Sequence, residues 1–316
     1  MLTSKLRSTG KFVVIGDLML DRYIFCSPKK ISDEAPILVL SEECKEVRPG
    51  GAANVACKLR GLNYDVVLCG IIGDDADGIL LKELLVHEGV DVGGMVVSEY
   101  RPTTVKTRIV AAKQQVVRVD NECCTHAESE DCDKMVEAFN YHAKCSQGVA
   151  LIDYMKGVLS NNVLHALEHD GRPSIVDPRS NNWERYGEVT VIKPNVRELG
   201  LAVGHEVEDA DMAIAARTAL TYCKAEFLLV TLGADGSMAV YRDKKEVRIP
   251  TPWVEVSDVT GAGDAVAATV LAGLASGLSL EESGRLGNLA GSIVVRQHGV
   301  GLLTRNLLTE MEQKCP

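Results

Sequence analysis

Short apolar, β-branched runs alternate with amphipathic stretches along most of the chain. Phe12-Val-Val-Ile15 opens the series, and residues 66–72, 148–152, 174–176, 189–192 and 227–231 continue it. Helix candidates lie at 75–88, 157–169, 195–203 and in an Ala-rich stretch near 264–276. Alternation of this kind predicts an α/β fold, a mostly parallel central sheet wrapped by crossover helices. Two stretches break the rhythm. Residues 37–40 form one; in the other, 103–120, Val105, Thr107 and Ile109 alternate with Lys106 and Arg108. A period of two predicts antiparallel strands with one covered face, and hence a small accessory sheet from about 22–47 and 95–121. The chain has no Pro-rich linker, low-complexity tract or internal repeat, so residues 1–316 are expected to form a single domain bearing a lid.

Composition narrows the class of partner. With 316 residues, 46% hydrophobic and 25% charged, the chain can bury a large core. A formal net charge of −10 argues against a broad basic surface for nucleic acid or anionic lipid and favours a small-molecule partner. The ten cysteines are scattered, Cys123-Cys124 is the only close pair, and none has zinc spacing. Reduced, mostly buried thiols are expected. Residues 1–10 are polar, without the apolar stretch of a signal peptide, and no apolar run approaches membrane-spanning length. The expected location is cytoplasmic.

The strongest chemical signal is Asp258-Val-Thr-Gly-Ala-Gly-Asp264, running into the Ala- and Val-rich stretch 265–275. Glycines just before a helix let the backbone approach a ligand, and the free N–H groups of that helix end attract anions. Asp264, in the first turn, is placed to take a proton from an attacking hydroxyl, a role that contributes typically about 10²- to 10⁴-fold. Read alone, it is equally an N-cap after a glycine turn. The segment is not Walker A, which needs Gly-Lys-Ser/Thr, nor the dinucleotide fingerprint, whose third glycine is Val266 here. A second signal is Arg48-Pro-Gly-Gly-Ala-Ala-Asn54. Gly50 and Gly51 carry no Cβ to fend off a ligand ring, while Asn54 offers both donor and acceptor to hydroxyls. In the third, Gly16-Asp17-Leu-Met-Leu-Asp21, Asp17 follows the first strand, where ligands of α/β sheets bind. Asp21 reads either as a second ligand contact or as a solvated turn residue.

Together these segments resemble the ribokinase-like (PfkB) carbohydrate kinases, whose signatures are a Gly-Gly-x-x-Asn near the N-terminus and a Gly-Ala-Gly-Asp near the C-terminus. The resemblance implies a ribokinase-like three-layer sandwich with a β-sheet lid over the sugar. It implies ATP bound on the C-terminal side, Asp264 as base, and an anion hole from the amides of Gly261, Ala262 and Gly263. Lys193-Pro-Asn195-Val-Arg-Glu198 is similar to the family's Asn-x-x-Glu element, which implies that Asn195 and Glu198 order Mg²⁺ through its waters. Without that likeness the pair is an ordinary helix cap. Thr231-Leu-Gly233-Ala-Asp-Gly236 resembles the strand and loop beside the nucleotide, and Asp258 and Thr260 match a loop that holds a monovalent cation such as K⁺ in relatives.

Within the family the chain is most similar to kinases that phosphorylate D-glycero-D-manno-heptose 7-phosphate at C1. The likeness rests on Ile31-Ser-Asp-Glu-Ala-Pro36, Gln114-Gln-Val-Val-Arg118-Val-Asp120, Asp153-Tyr-Met-Lys156-Gly157, Asp177-Pro-Arg179 and Glu184-Arg-Tyr186, beside the segments above. A phosphorylated sugar needs cations, available at Lys106, Arg108, Arg118, Lys156 and Arg179. Lys156, beside Asp153, is the preferred sugar or phosphate contact, and Arg179 a second, on the nucleotide side. Two departures bear on the sugar: Ala111-Ala-Lys113 stands where such kinases often have Ser-Arg-Asn, and Asp153 where Ser is usual. Bifunctional relatives append a nucleotidyltransferase with His-x-Gly-His; its lack here implies the kinase step only. Exposed lid edges imply a homodimer joined through the lids. The competing readings are a kinase for ribose, fructose 6-phosphate or adenosine, and a non-catalytic sugar-binding protein on the same fold.

Overall fold

The computed structural model describes residues 1–315 apart from 113, 169, 170, 298 and 300, so Lys113 and the last residue of the 157–169 helix candidate lie outside the described residues. The first half of the chain forms β1 (Lys11–Gly16), β2 (Leu18–Ile31), β3 (Leu38–Gly51), α1 (Ala52–Gly61), β4 (Asp65–Gly73), α2 (Ala76–His87), β5 (Asp91–Ser98), β6 (Thr104–Ala111), β7 (Gln114–Asn121) and α3 (Ser129–Ala143). The second half forms β8 (Gly148–Asp153), α4 (Asn161–Ala166), β9 (Ser174–Pro178), β10 (Val191–Ile192), α5 (Val196–Val203), α6 (Met212–Thr221), β11 (Phe227–Thr231), β12 (Ser237–Tyr241), β13 (Val247–Ile249), α7 (Ala262–Ala275), α8 (Leu280–Val294) and α9 (Arg305–Lys314).

Nine strands make the large sheet, in the order β13-β12-β11-β10-β9-β8-β1-β4-β5. All neighbours from β5 to β11 are parallel, and β12 and β13 close one edge antiparallel. Alternate side chains of each strand feed two separate cores. Phe12 and Val14 join α1, α2, α7, α8 and α9 on one face, while Val13 and Ile15 join α3, α4, α5 and α6 on the other. Burial on both faces is why these strands read as unbroken apolar runs. Helix α7 is buried along almost its whole length between the sheet, α1 and α8, which accounts for its lack of a polar face.

The accessory sheet has the order β3-β2-β6-β7. It departs from expectation in three ways. It takes in 18–31 and 38–51 rather than 22–47; residues 95–98 belong to β5 of the large sheet; and β2 pairs with β6 in parallel, Met19 opposite Thr104. Periodicity reports which face is covered, not which neighbour supplies the hydrogen bonds.

One helix expectation is also corrected. The candidate at 157–169 shortens to α4, because Gly157 takes a φ of 82° with its Cβ position filled by the Thr125 carbonyl, and Ser160 starts the helix by accepting from Val163 N–H. After β11 the chain turns back as the β12 hairpin. Among the described residues no helix is long and apolar enough to cross a membrane. The cysteines are free, but only Cys69, Cys132 and Cys223 are buried, so mostly buried thiols is not what the fold provides.

Candidate active site

The ends of β1, β8 and β9, the start of α1 and the start of α7 converge on one side of the large sheet. Gly261, with a φ of 78°, is the N-cap of α7 and turns the 258–260 loop into the helix; the helix therefore begins at Ala262, earlier than its sequence suggests. Helix geometry leaves the first N–H groups without intrahelical acceptors. That of Ala262 reaches only Val259 O, at 3.3 Å. The amides of Gly261, Ala262 and Gly263 are half-buried and line the helix start where an anion is favoured.

Asp264 sits in this first turn, 5% exposed. Asn54 of α1 donates to its Oδ2 at 2.5 Å, and the Tyr154 hydroxyl donates to Oδ1 at 3.2 Å. The two glycine-rich motifs, remote in sequence, thus meet in one hydrogen bond. Burial, and then the nearby Asp177, push the Asp264 carboxyl up to about 6, although Asn54, Lys193 and Lys58 pull it down. Burial first, with Asp264 and Asp177 after it, holds the Tyr154 phenol well above its usual range, so it remains a donor.

Asp17 follows β1 and is 1% exposed. Its Oδ2 accepts from the N–H groups of Tyr154 at 2.7 Å and Lys156 at 3.1 Å, while Oδ1 has no partner among the described residues. Burial and then Asp153 push it to about 6. A buried, half-satisfied carboxylate at a sheet's C-terminal edge is suited to accept from a ligand hydroxyl. Asp21 is not a turn residue. It lies buried within β2 and accepts from Arg108 at 2.5 Å. Gly50 packs on it so closely that a Cβ would come 2.3 Å from Asp21 Oδ2, and Gly51 caps α1.

On the other flank, Asn195 and Glu198 form a full capping box at the start of α5, at 2.9 and 2.8 Å. Glu198 also pairs with the half-exposed Arg179 at 2.5 Å, and that guanidinium stacks 5.1 Å over the Tyr154 ring. Thr231 bridges to Asn195 and donates its N–H to Pro194 O at 2.8 Å; Gly233 and Gly236 shape the turn that follows. Lys193 and Asp177 form a buried pair at 3.1 Å beside Gly263. No cluster of three or more His, Cys, Asp or Glu suited to a metal occurs among the described residues. Asp258 binds Thr260 through its N–H at 2.9 Å and its hydroxyl at 2.7 Å, and accepts from Gly299 N–H at 3.0 Å. The pair is an oxygen-rich corner of the loop before α7.

Three sequence candidates stand apart from this cluster. Asp153 is engaged by the Tyr186 hydroxyl at 2.8 Å, Met155 N–H at 2.9 Å and Arg185 at 3.5 Å. Arg118 is exposed on β7 beside Asp120. Lys156 contributes its N–H to Asp17, but its Nζ bonds Glu122 at 2.7 Å, where the lid joins the body. Sequence reasoning gave no role to Tyr154, Asp177, Lys193 or Lys58. Tyr154, Asp177 and Lys193 stand within segments that carry the resemblance, whereas Lys58 stands in none.

The chain matches the family described as pfkB family carbohydrate kinase over residues 9–306. It is 36% identical to the bifunctional protein HldE of Geotalea uraniireducens over 297 residues, covering 92% of this chain and 61% of that protein. Against the HldE of Helicobacter hepaticus it is 36% identical over 303 residues, with 94% and 62% covered. The chain therefore spans about three-fifths of the length of these curated relatives. Among solved structures, phosphofructokinase-2 from Escherichia coli in complex with potassium superposes with a TM-score of 0.79 at 22% identity, covering 96% of this chain and 98% of that one. A ribokinase from Arabidopsis thaliana complexed with ribose and ATP gives 0.76 at 21%, with the same coverage. At such identities these two likenesses establish the fold.

Proposed function

The chain belongs to the pfkB family of carbohydrate kinases, and from that membership we propose that it transfers the γ-phosphoryl group of ATP to the C1 hydroxyl of D-glycero-D-manno-heptose 7-phosphate. The observation that carries the phosphotransfer reading is the buried Asp264 carboxylate, joined to Asn54 and set in the first turn of α7 beside the first amides of that helix, which have no intrahelical acceptors. Asp17 and Asn54 hold the acceptor sugar by its hydroxyls. Asp264 takes the proton as the oxygen attacks in line, and the 261–263 amides stabilise charge on the migrating group. With its carboxyl near pH 6, Asp264 is ionised at neutral pH yet still basic enough to accept a proton. Asn195 and Glu198 would order the waters of a Mg²⁺ ion, which would supply charge neutralisation at the phosphates. Arg179 reaches the same phosphates from its stack on Tyr154.

The heptose phosphate assignment is supported by the HldE relatives and by cations where the lid meets the body. Lys106 bonds Asp120 and Glu122, both at 3.1 Å; Lys156 bonds Glu122; and Arg108 bonds Asp21. These pairs hold three positive groups in place for a phosphate to engage. Arg118 adds a fourth at the rim. The experiment is a panel in which the protein and MgATP receive heptose 7-phosphate, ribose, fructose 6-phosphate or adenosine in turn while ADP release is followed. Highest kcat/KM with heptose 7-phosphate is expected. Preference for another acceptor keeps the kinase and replaces the sugar; no ADP with any acceptor removes the activity.

Two further parts of the reading concern assembly and ions. Strand β7 is exposed along its whole length, with Val116, Val117 and Val119 outward, a face suited to pairing with a second lid. A homodimer is expected by light scattering at micromolar concentration. Asp258 and Thr260 supply oxygens suited to K⁺ at the loop before α7, so turnover is expected to rise when K⁺ replaces a tetraalkylammonium salt.

A further inference from the structure

Lys58 is one helical turn beyond Asn54 on α1 and, like it, is buried, at 4% exposure against 2%. A lysine ammonium is seldom buried unless it is paired, because desolvation penalises the charge. The Lys58 Nζ donates to the carbonyl of Gly301. That contact belongs to a wider brace. Asp258 accepts from Gly299 N–H, and the N–H groups of Ser257 and Asp258 both donate to Val295 O. The loop feeding the helix start at Gly261 therefore leans on the stretch after α8, and Lys58 ties that stretch to the helix bearing Asn54.

Four residues apart, Lys58 and Asn54 share one face of α1, and Asn54 donates to Asp264, so Lys58 stands on the side of α1 that meets the base. The groups acting on Asp264 are Asn54 and Lys58 from α1, Tyr154 from the loop after β8, Asp177 at the end of β9 and Lys193 after β10. Around Lys58, burial lowers its affinity for a proton. Asp264, Cys57 and Glu88 favour the charged form, and Arg48 disfavours it. Asp264 is the strongest of those electrostatic influences.

We propose that Lys58 is a positioning residue of the phosphoryl-transfer site: its ammonium braces the backbone at Gly301 against the loop before α7 and keeps Asp264 in the anionic form that acts as base. The inference rests on Asp264 being that base, and not on the identity of the sugar.

The test compares Lys58→Met, Lys58→Gln and Lys58→Arg, using whichever acceptor turns over best. Removing a positive charge that faces a carboxylate raises that carboxylate's pKa, so the acid limb of the kcat–pH profile moves to higher pH. In the neutral variants that limb is expected to move up by about half a unit or more, with KM for ATP changed less than about 3-fold, and kcat at pH 7 is expected to fall about 10-fold in Lys58→Met, which loses the brace as well as the charge. Lys58→Arg keeps the wild-type limb. Lys58→Gln can still donate to Gly301 and separates the charge from the brace. An unmoved limb in folded neutral variants overturns the proposal, as does failure of both neutral variants to fold while Lys58→Arg is folded and active, which marks a purely structural lysine. Asp264→Asn, run in parallel, distinguishes the two levels. If it retains turnover, the base assignment itself fails; if it is inactive while the Lys58 limb is unmoved, only the present inference does.

Discussion

The carboxylates of the body and those at the lid junction are treated in opposite ways. Asp264 and Asp17 are buried without full compensation, and burial wins, pushing both to about 6. Burial acts on Asp120 and Glu122 as well, but there it is outweighed. Lys106 and Arg118 at Asp120, and Lys156 and Lys106 at Glu122, hold both carboxyls below their usual range. A protein shaped for stability alone would neutralise the buried pair first, because a buried charge costs more than an exposed one. Leaving the costly pair only partly compensated and satisfying the cheap one is what is expected if the first serves the proposed chemistry and the second holds the lid cations in place.

The comparison breaks most visibly at Asp264. Asp264→Asn is expected to lower kcat by about 10²- to 10⁴-fold with little change in sugar KM, measured by steady-state ADP release. Wild-type turnover in that variant would remove the body's carboxylate from the chemistry.

Stability sharpens the contrast, and its sign is unusual. The Asp264 pKa in the folded state, about 6, lies above the ordinary 3.8, so between those values the folded protein binds more protons than the unfolded chain. The ionised form therefore destabilises the fold, fully above about pH 6, and the effect fades as pH falls toward 4. Asp264→Asn is expected to be more stable than wild type at pH 7 by up to about 3 kcal/mol, an order-of-magnitude bound from a shift of about two units. Urea denaturation at pH 7 and pH 4.5 checks it, the gap shrinking at the lower pH. Asp17→Asn should follow the same pattern, whereas no such gain is expected from Asp120→Asn.

At the junction the effects are smaller and fall on binding. Lys156→Gln is expected to raise KM for the phosphorylated sugar about 10-fold while leaving kcat within about 3-fold. Smallest is Glu122→Gln, which should change stability by less than about 1 kcal/mol in thermal melts, since its ion pairs are partly exposed and screened by solvent. If Glu122→Gln destabilised the fold more than Asp264→Asn altered it, the division between reactive and fastening carboxylates would collapse.

Much of the frame could be read from the residues. The runs at 12–15, 66–72 and 148–152 became β1, β4 and β8 because burial on both faces leaves an unbroken apolar record. The Asn195 and Glu198 spacing announced a helix start, and a capping box is there, since a cap is a contact between near neighbours in sequence. The Gly-Ala-Gly-Asp and Gly-Gly-Ala-Ala-Asn segments also advertised themselves, because the positive φ of Gly261 and Gly51 and the close packing of Gly50 on Asp21 restrict the residue types there.

What the chain could not disclose was the company each side chain keeps. The Asp153-Tyr-Met-Lys156 segment reads as one polar cluster. Tertiary structure splits it, sending Asp153 to Tyr186 and Arg185, Tyr154 to Asp264, and the Lys156 ammonium to Glu122. Likewise the parallel pairing of β2 with β6 and the gathering of Lys58, Asp177 and Lys193 around one carboxylate join segments far apart in the chain. Periodicity and capping are local and leave a local trace. The proton affinity of Asp264 is a sum over desolvation and distant charges, and it comes into being only when the chain has folded.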